Sequence, residues 1–267
     1  MRSRLSLLLW LATIGYIAML LLAPPNLLPG EPIWAIRPET INEVLGESLN
    51  FFFVLPLLNA IGVHLMEAAT LHPVSESFFN FSEAWIFMFL PLLWADTKGD
   101  HLPRTVIWGG AMFLTNIFLM PYMALRLRAE TADVVESEIQ LETQPERESG
   151  IQPKCERTIN SQNANSTQPT RPKGTIAQVF GWVGIVVGSI AVSWVVFARP
   201  EFGSLTDRGA FWLGQLTHDR VTLAFFCDIL LFWVFQIWLI GDIEPLSSPI
   251  RNLRWIPFWG LAFWLVL

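Results

Sequence analysis

Apolar positions along the chain gather into runs near the length that crosses a bilayer, about 20 helical residues for a hydrocarbon core of about 30 Å. Seven such runs are found. The first, LSLLLWLATIGYIAMLLLA, covers Leu5 to Ala23 and stops at Pro24 and Pro25. The second extends from about Leu49 to Glu67. The third, WIFMFLPLLWA (Trp85 to Ala95), reaches spanning length only if its helix starts near Ser75, just after the helix-breaking Pro73. The fourth is Thr105 to Leu125, the fifth Thr175 to Phe197 and the sixth Val221 to Ile240. The seventh, WIPFWGLAFWLVL, has only 13 residues, which predicts a half-helix or a chain cut short of a longer protein. The pattern therefore predicts an all-α helical bundle, a polytopic integral membrane protein of six to seven transmembrane helices.

Between the fourth and fifth runs, residues 129–174 contain no aromatic residue and are rich in Glu, Gln, Ser, Thr, Asn and Pro. Such a segment buries too little apolar surface to offset its ordering entropy, so it reads as a disordered cytoplasmic linker between residues 1–128 and 175–267. LPLLNA at 55–60 and LPLLWA at 90–95 form a short local repeat. Pro56, Pro91 and Pro121 each interrupt an apolar run, predicting kinks in the second, third and fourth helices. In the fifth run Gly181, Gly184 and Gly188 share one small face with Ala191, a close-packing surface used within the chain or between chains.

Composition agrees with this reading. Of 267 residues 52% are hydrophobic and 15% charged, where soluble domains carry roughly 25% charged residues. The net charge of −6, without a basic cluster, argues against nucleic acid. Cys155 and Cys227 form neither a disulfide framework nor a zinc motif. The first apolar run is longer than a signal peptide core and lacks an A-x-A site, so it is expected to remain as an anchor. With the N-terminus cytoplasmic, eleven of the 17 basic residues fall inside. Those outside are Arg37, Lys98, Arg104, Arg199, Arg208 and Arg220.

Polar residues at bilayer depth need a partner or a role, because insertion costs at least about 2.5 to 3.5 kcal/mol for an ionisable group. Asp228 sits about 10 Å into the sixth run, with Gln236 two turns further on nearly the same face. It reads either as a proton, cation or catalytic-acid site or as a protonated carboxyl that locks helices together. Asn59 and Asn116 would lie near mid-membrane, within reach of Asp228 if the second, fourth and sixth helices are neighbours. Interhelical amide bonds of about 0.6 to 2 kcal/mol make structural glue the plain alternative. Glu83 lies two turns after Glu76 on one face, which fits an acidic lining of a cavity open to the cytoplasm or an interfacial first turn. Glu76 is then expected at the surface. The sequence HLMEAATLH places His64, Glu67 and His72 close together, but Glu67 and His72 point about 140° apart on a regular helix. They read as the polar inner end of the second helix, not as a metal site.

Four histidines are too few for a histidine-rich di-iron enzyme, and HExxH, GxSxG, a P-loop and paired acids are all absent. No lysine lies in a span to hold retinal, and neither a metal nor a cofactor is expected. HPVSESFFNFSEAWIFMFLPLLWAD and LTNIFLMPYMALRL, with SSPIRNLRWIPFWGLAFWL near the end, resemble an uncharacterised group of polytopic membrane proteins of cyanobacteria and plastids. The resemblance covers about half of the chain, mainly residues 45–128 and 245–267. It implies a thylakoid, plasma or plastid membrane and a C-terminal segment that continues further, and it carries no activity. The leading expectation is a non-enzymatic accessory or assembly component, with the bilayer and a membrane-protein partner or second copy as its contacts. A proton-coupled transporter or channel using Asp228 and Glu83 is the alternative, and a lipid- or pigment-modifying enzyme a third.

Overall fold

The computed structural model describes residues 2–66, 68–128 and 174–267. It is 79% helix and shows no strand among the described residues. In chain order the helices are α1 (Arg2–Ile17), α2 (Pro38–Leu49), α3 (Val54–Ala60), α4 (Pro73–Ala95), α5 (Arg104–Leu114), α6 (residues 116–128), α7 (Thr175–Phe197), α8 (Leu205–His218), α9 (Arg220–Ile243) and α10 (Trp259–Val266). Four helices are long and apolar enough to cross a membrane: α1 with its π-helical extension to Leu22, α4, α7 and α9. A fifth counts only if α2 and α3, bent by 45°, are taken as one span, against the six or seven expected.

The four long helices alternate in direction. α1 begins beside the end of α6, where the Ser6 hydroxyl donates to the Ala124 carbonyl at 2.8 Å. At that near end lie Asp96, just after α4, and Asp242, in the last turn of α9, both bound by Arg126 of α6. At the far end the loop after α1 meets the start of α9, with Arg220 donating to the carbonyls of Leu28, Pro29 and Gly30. α7 runs antiparallel to α4: Gly184 packs on Met88, and Trp194 donates to Glu76 near the beginning of α4. Residues 24–72 leave the far end at Gly30 and return to it at His72, so they make no net crossing. This replaces the expected second span, and Pro56 falls in the first turn of α3, where it breaks no helical hydrogen bond.

The fourth run, Thr105 to Leu125, is also not a span. Arg104, at its start, donates to the Asp96 carbonyl at 3.1 Å, and Arg126, past its end, grips the Asp96 carboxylate at 2.6 and 3.0 Å. A straight helix would separate these residues by about 33 Å, so α5 and α6 form a re-entrant hairpin that enters and leaves at the near end. Its arms reach about 16 to 20 Å inward and turn at Thr115, whose φ of 43° is rare for a β-branched residue. The last segment repeats the plan at lower depth. A 3-10 stretch over Pro249–Trp255 descends along α9, the chain turns at Phe258 (φ 58°), and α10 returns to the near end. There the Gln178 amide donates to the Val266 carbonyl and the Trp264 indole to Glu244.

α4 is the central helix, with 72% of its apolar window buried against 11% for α1. Trp85, Met88, Phe89 and Leu92 are fully buried, and Pro91 is accommodated inside one continuous helix. The small face of α7 is used within the chain. A Cβ on Gly181 would stand 2.8 Å from the Ala262 carbonyl, Gly184 lies against Met88, and Gly188 lies against the Phe258 ring. Arginines cap helix ends whose carbonyls lack helical partners. Arg104 serves α4, Arg208 serves α7 through the carbonyls of Val195 and Ala198, and Arg251 serves Gly241 in the last turn of α9.

Candidate functional site

The hairpin tip delivers polar groups to the middle of the bundle. Breaking a helix at residue 115 frees the side chains of Thr115 and Asn116 to point along the bundle rather than sideways. The Thr115 hydroxyl donates to Asp228 Oδ2 at 2.8 Å, and the Asn116 amide donates to Oδ1 at 2.6 Å and to the Asp228 carbonyl at 3.3 Å. From α1 the Tyr16 hydroxyl donates to Oδ1. Both carboxylate oxygens are therefore occupied, and all three donors are neutral. Asp228 is 3% exposed and Asn116 is fully buried with its own Oδ1 left without a partner.

Asp228 is the floor of a cavity of about 580 Å³ that runs from the far end to the hairpin tip. Its deep part is formed by Tyr16, Thr115, Phe225 and Asp228, and its walls by aliphatic residues of residues 20–45, including Leu20, Ile33, Ile36, Ile41 and Val44. Glu31, Arg37, Thr40, His218, Asp219 and Arg220 form the polar mouth. Charges at the mouth are largely paired off. Glu31 accepts from the Arg37 backbone N–H at 2.9 Å, from Thr40 at 3.0 Å and from the Arg37 guanidinium. The Arg37 N–H, then Thr40 and the guanidinium, hold the Glu31 carboxyl below the usual carboxylate range. Asp219 caps α9, accepting from the N–H groups of Val221 and Thr222 at 3.3 and 2.7 Å.

No known protein family, curated protein or solved structure matches this chain. Its chemistry has to be argued from the side chains. Of the residues singled out in the sequence, the fold brings Asp228 and Asn116 together. Glu83 is buried on α4 within electrostatic reach of Asp228, yet no described group hydrogen-bonds it and it does not line the cavity. Gln236 belongs to a second cluster, accepting from the Trp85 indole at 3.1 Å and donating to the carbonyls of Arg254 and Ile256 at 3.1 and 2.8 Å. It holds the tip of the C-terminal hairpin, not Asp228.

Asn59 does not reach Asp228 either. Because the second span is replaced by two short helices, Asn59 is half-buried at the end of α3, where its amide donates to the Met66 carbonyl at 3.2 Å and accepts from the Ala68 N–H at 3.0 Å. Glu76 is not at a surface but fully buried, bound by the Trp194 indole at 2.9 Å and facing Arg199 at 3.4 Å. The expected acidic lining of a near-side cavity is thus replaced by a cavity open at the far end. His72 lies at the far end rather than the inner interface. It caps α4 through Nδ1, 3.2 Å from the Val74 N–H, and stacks on Phe211 at 3.5 Å. Burial, helped by the nearby Arg208, pushes its imidazole below the usual histidine value. His64 is exposed, while Glu67 and residues 129–173 lie outside the described residues. No group of metal-binding side chains occurs among the described residues.

Sequence reasoning missed Tyr16, Thr115 and the Asp96–Arg126–Asp242 cluster. A signal for the first was available: the chain has 20 Phe and only two Tyr. Both tyrosines donate to buried aspartates, Tyr16 to Asp228 and Tyr122 to Asp96 at 2.5 Å.

Proposed function

We propose that this chain is an integral membrane protein that crosses the bilayer four times and acts as a proton-coupled carrier, with Asp228 as the proton-binding group. The observation that carries the reading is the Asp228 carboxyl on a cavity floor, held only by neutral donors, two of them from the tip of a re-entrant helix pair. An intramembrane acid without a cationic partner is disposed to take up a proton or a cation. Discontinuous helices that meet at mid-depth leave polar groups available there, an arrangement used for solute sites in secondary transporters.

Support for the membrane comes from the outer faces. Leu7, Leu8, Leu11 and Ile14 on α1 and Val179, Trp182, Val186 and Val192 on α7 are all more than half exposed, forming apolar surfaces too long to leave in water. The near end carries Arg4, Lys98, Arg128, Arg251 and Arg254 and receives both ends of the basic residue-bearing segment 129–173, so the positive-inside rule favours a cytoplasmic N-terminus. Because residues 24–72 make no net crossing, α4 ends on this side and brings Lys98 and Arg104 with it, which strengthens the bias. The cavity then opens away from the cytoplasm. A photosynthetic membrane as its home rests on the sequence resemblance alone.

The accessory-factor reading rested on residues 129–174 and on the glycine face of α7. That face is filled by α4 and α10, so it leaves no small-residue surface for a second chain. Reconstitution of the full chain in liposomes containing a pH-sensitive dye tests the carrier reading. A proton flux driven by a solute gradient that falls at least tenfold in Asp228→Asn supports it; an unchanged flux in that variant, or none in the parent protein, overturns it.

A further inference from the structure

We infer that the solute held in this cavity is a lipophilic monocation, a protonated amine or an organic onium ion, with the Asp228 carboxylate as its counter-ion. This rests on the carrier reading for its transport step but not for its binding step. Three observations lead to it. Among the described residues the deep end has one acidic group, Asp228, and no basic one, so an ionised carboxylate there is solvated by Tyr16, Thr115 and Asn116 and meets no counter-charge. Glu83, behind the wall, adds to the negative side of the balance.

The charges at the mouth are committed elsewhere: Arg37 to Glu31, Asp219 to the first turn of α9, and Arg220 to three backbone carbonyls. The wall between mouth and floor is aliphatic, and a volume of about 580 Å³ is that of a site for a small organic molecule rather than a hydrated metal ion. A hydrated inorganic cation would give up its water against Ile33, Ile36 and Val44 for a single carboxylate. An organic cation keeps its apolar body against those side chains while its charge reaches Asp228.

Binding and protonation then exclude each other. A carboxylic acid at Asp228 releases its proton when the cation arrives and takes one back when the cation leaves, so one positive charge is exchanged for another. The same group serves both ions in turn, which makes the carrier an exchanger.

The test uses the purified full chain in nanodiscs with tetraphenylphosphonium and tetraphenylborate, ions of one shape and opposite charge, read by equilibrium dialysis. The borate is the control that matters, because Arg220 Nη1 has no partner. Tetraphenylphosphonium binds the parent protein at least tenfold more tightly than tetraphenylborate; Asp228→Asn loses that tenfold, and Asp228→Glu keeps it to within about threefold. Borate binding as tight as phosphonium, or phosphonium affinity unchanged in Asp228→Asn, overturns the inference, and the comparison of the two ions on the parent protein decides even if that variant does not fold. Phosphonium bound at Asp228 without proton release defeats the carrier reading and leaves the cation site standing. Asp228-dependent proton flux in a protein that prefers the borate does the reverse.

Discussion

Removing Arg126 tests how the re-entrant hairpin is anchored. This side chain is fully buried, bonds Asp96 at 2.6 and 3.0 Å and Asp242 at 2.8 Å, and is the one link between the hairpin and the last turn of α9 in that network. In Arg126→Met, Asp96 keeps the Tyr122 hydroxyl at 2.5 Å but loses its counter-charge, while Asp242 keeps Lys98 at 3.2 Å. Breaking a buried pair on one side leaves an uncompensated charge and costs about 3 to 5 kcal/mol, well above the 0 to 1 kcal/mol of an exposed pair. Since Asp96 is 1% exposed, the larger figure applies. Reversible unfolding in mixed micelles, followed by tryptophan fluorescence, measures it. The double variant Asp96→Asn/Arg126→Met should lose less than the sum of the single losses, by about 0.5 to 3 kcal/mol. A loss below about 1 kcal/mol for Arg126→Met, with additive behaviour in the double variant, would show that the pair is solvated and the hairpin anchored otherwise.

Three further outcomes are expected. Tyr16→Phe removes one donor from the uncharged Asp228 carboxyl and should destabilise the protein by about 0.5 to 1.5 kcal/mol in the same assay; no measurable loss counts against that contact. Gly260→Ala places a methyl against the Leu253 carbonyl, a backbone atom that has to move, and should lower the melting temperature, whereas Gly209→Ala in α8 meets nothing within 4 Å and should gain about 0.8 to 1 kcal/mol in helix propensity; equal effects would refute the close approach of the C-terminal hairpin. His72, with its value depressed by burial, binds a proton more readily in the unfolded chain, so stability should fall as pH drops below about 6.5 and level off once the folded imidazole also protonates; His72→Asn, which keeps a cap acceptor but does not titrate, should flatten that slope.

The long helices were legible because an unbroken apolar run of about 20 residues admits few other structures. The re-entrant pairs were not, because hydropathy scores one 21-residue helix and two half-length helices alike. What distinguishes them is the Thr115-Asn116 pair midway along the fourth run, where two polar residues in sequence mark a turn. Asn116 was read at the right depth for Asp228 even though its helix was drawn straight. Asn59 was misplaced by the same assumption, since the second run folds as a 3-10 turn and the short α3, which sends Phe53 into the core but leaves Asn59 half-buried at the end of α3. Gln236, eight residues after Asp228, was grouped with it by helical geometry, but its amide is taken by the backbone of the second hairpin, which no spacing argument reveals. The arginines were counted as topology markers, although four of them cap carbonyls at helix ends or in the loop after α1.

The α5–α6 hairpin is the feature on which the site depends, since it brings Thr115 and Asn116 to Asp228. Its direct test is a distance between spin labels at His101 and Arg128, both exposed, in a variant with Cys155 and Cys227 replaced. A re-entrant pair keeps both labels near Asp96, within about 20 Å including the label arms, while a single straight helix carries them about 35 to 40 Å apart at 1.5 Å per residue. A distribution centred below 25 Å is the predicted result, and one centred above 33 Å would contradict the hairpin and the site built on it.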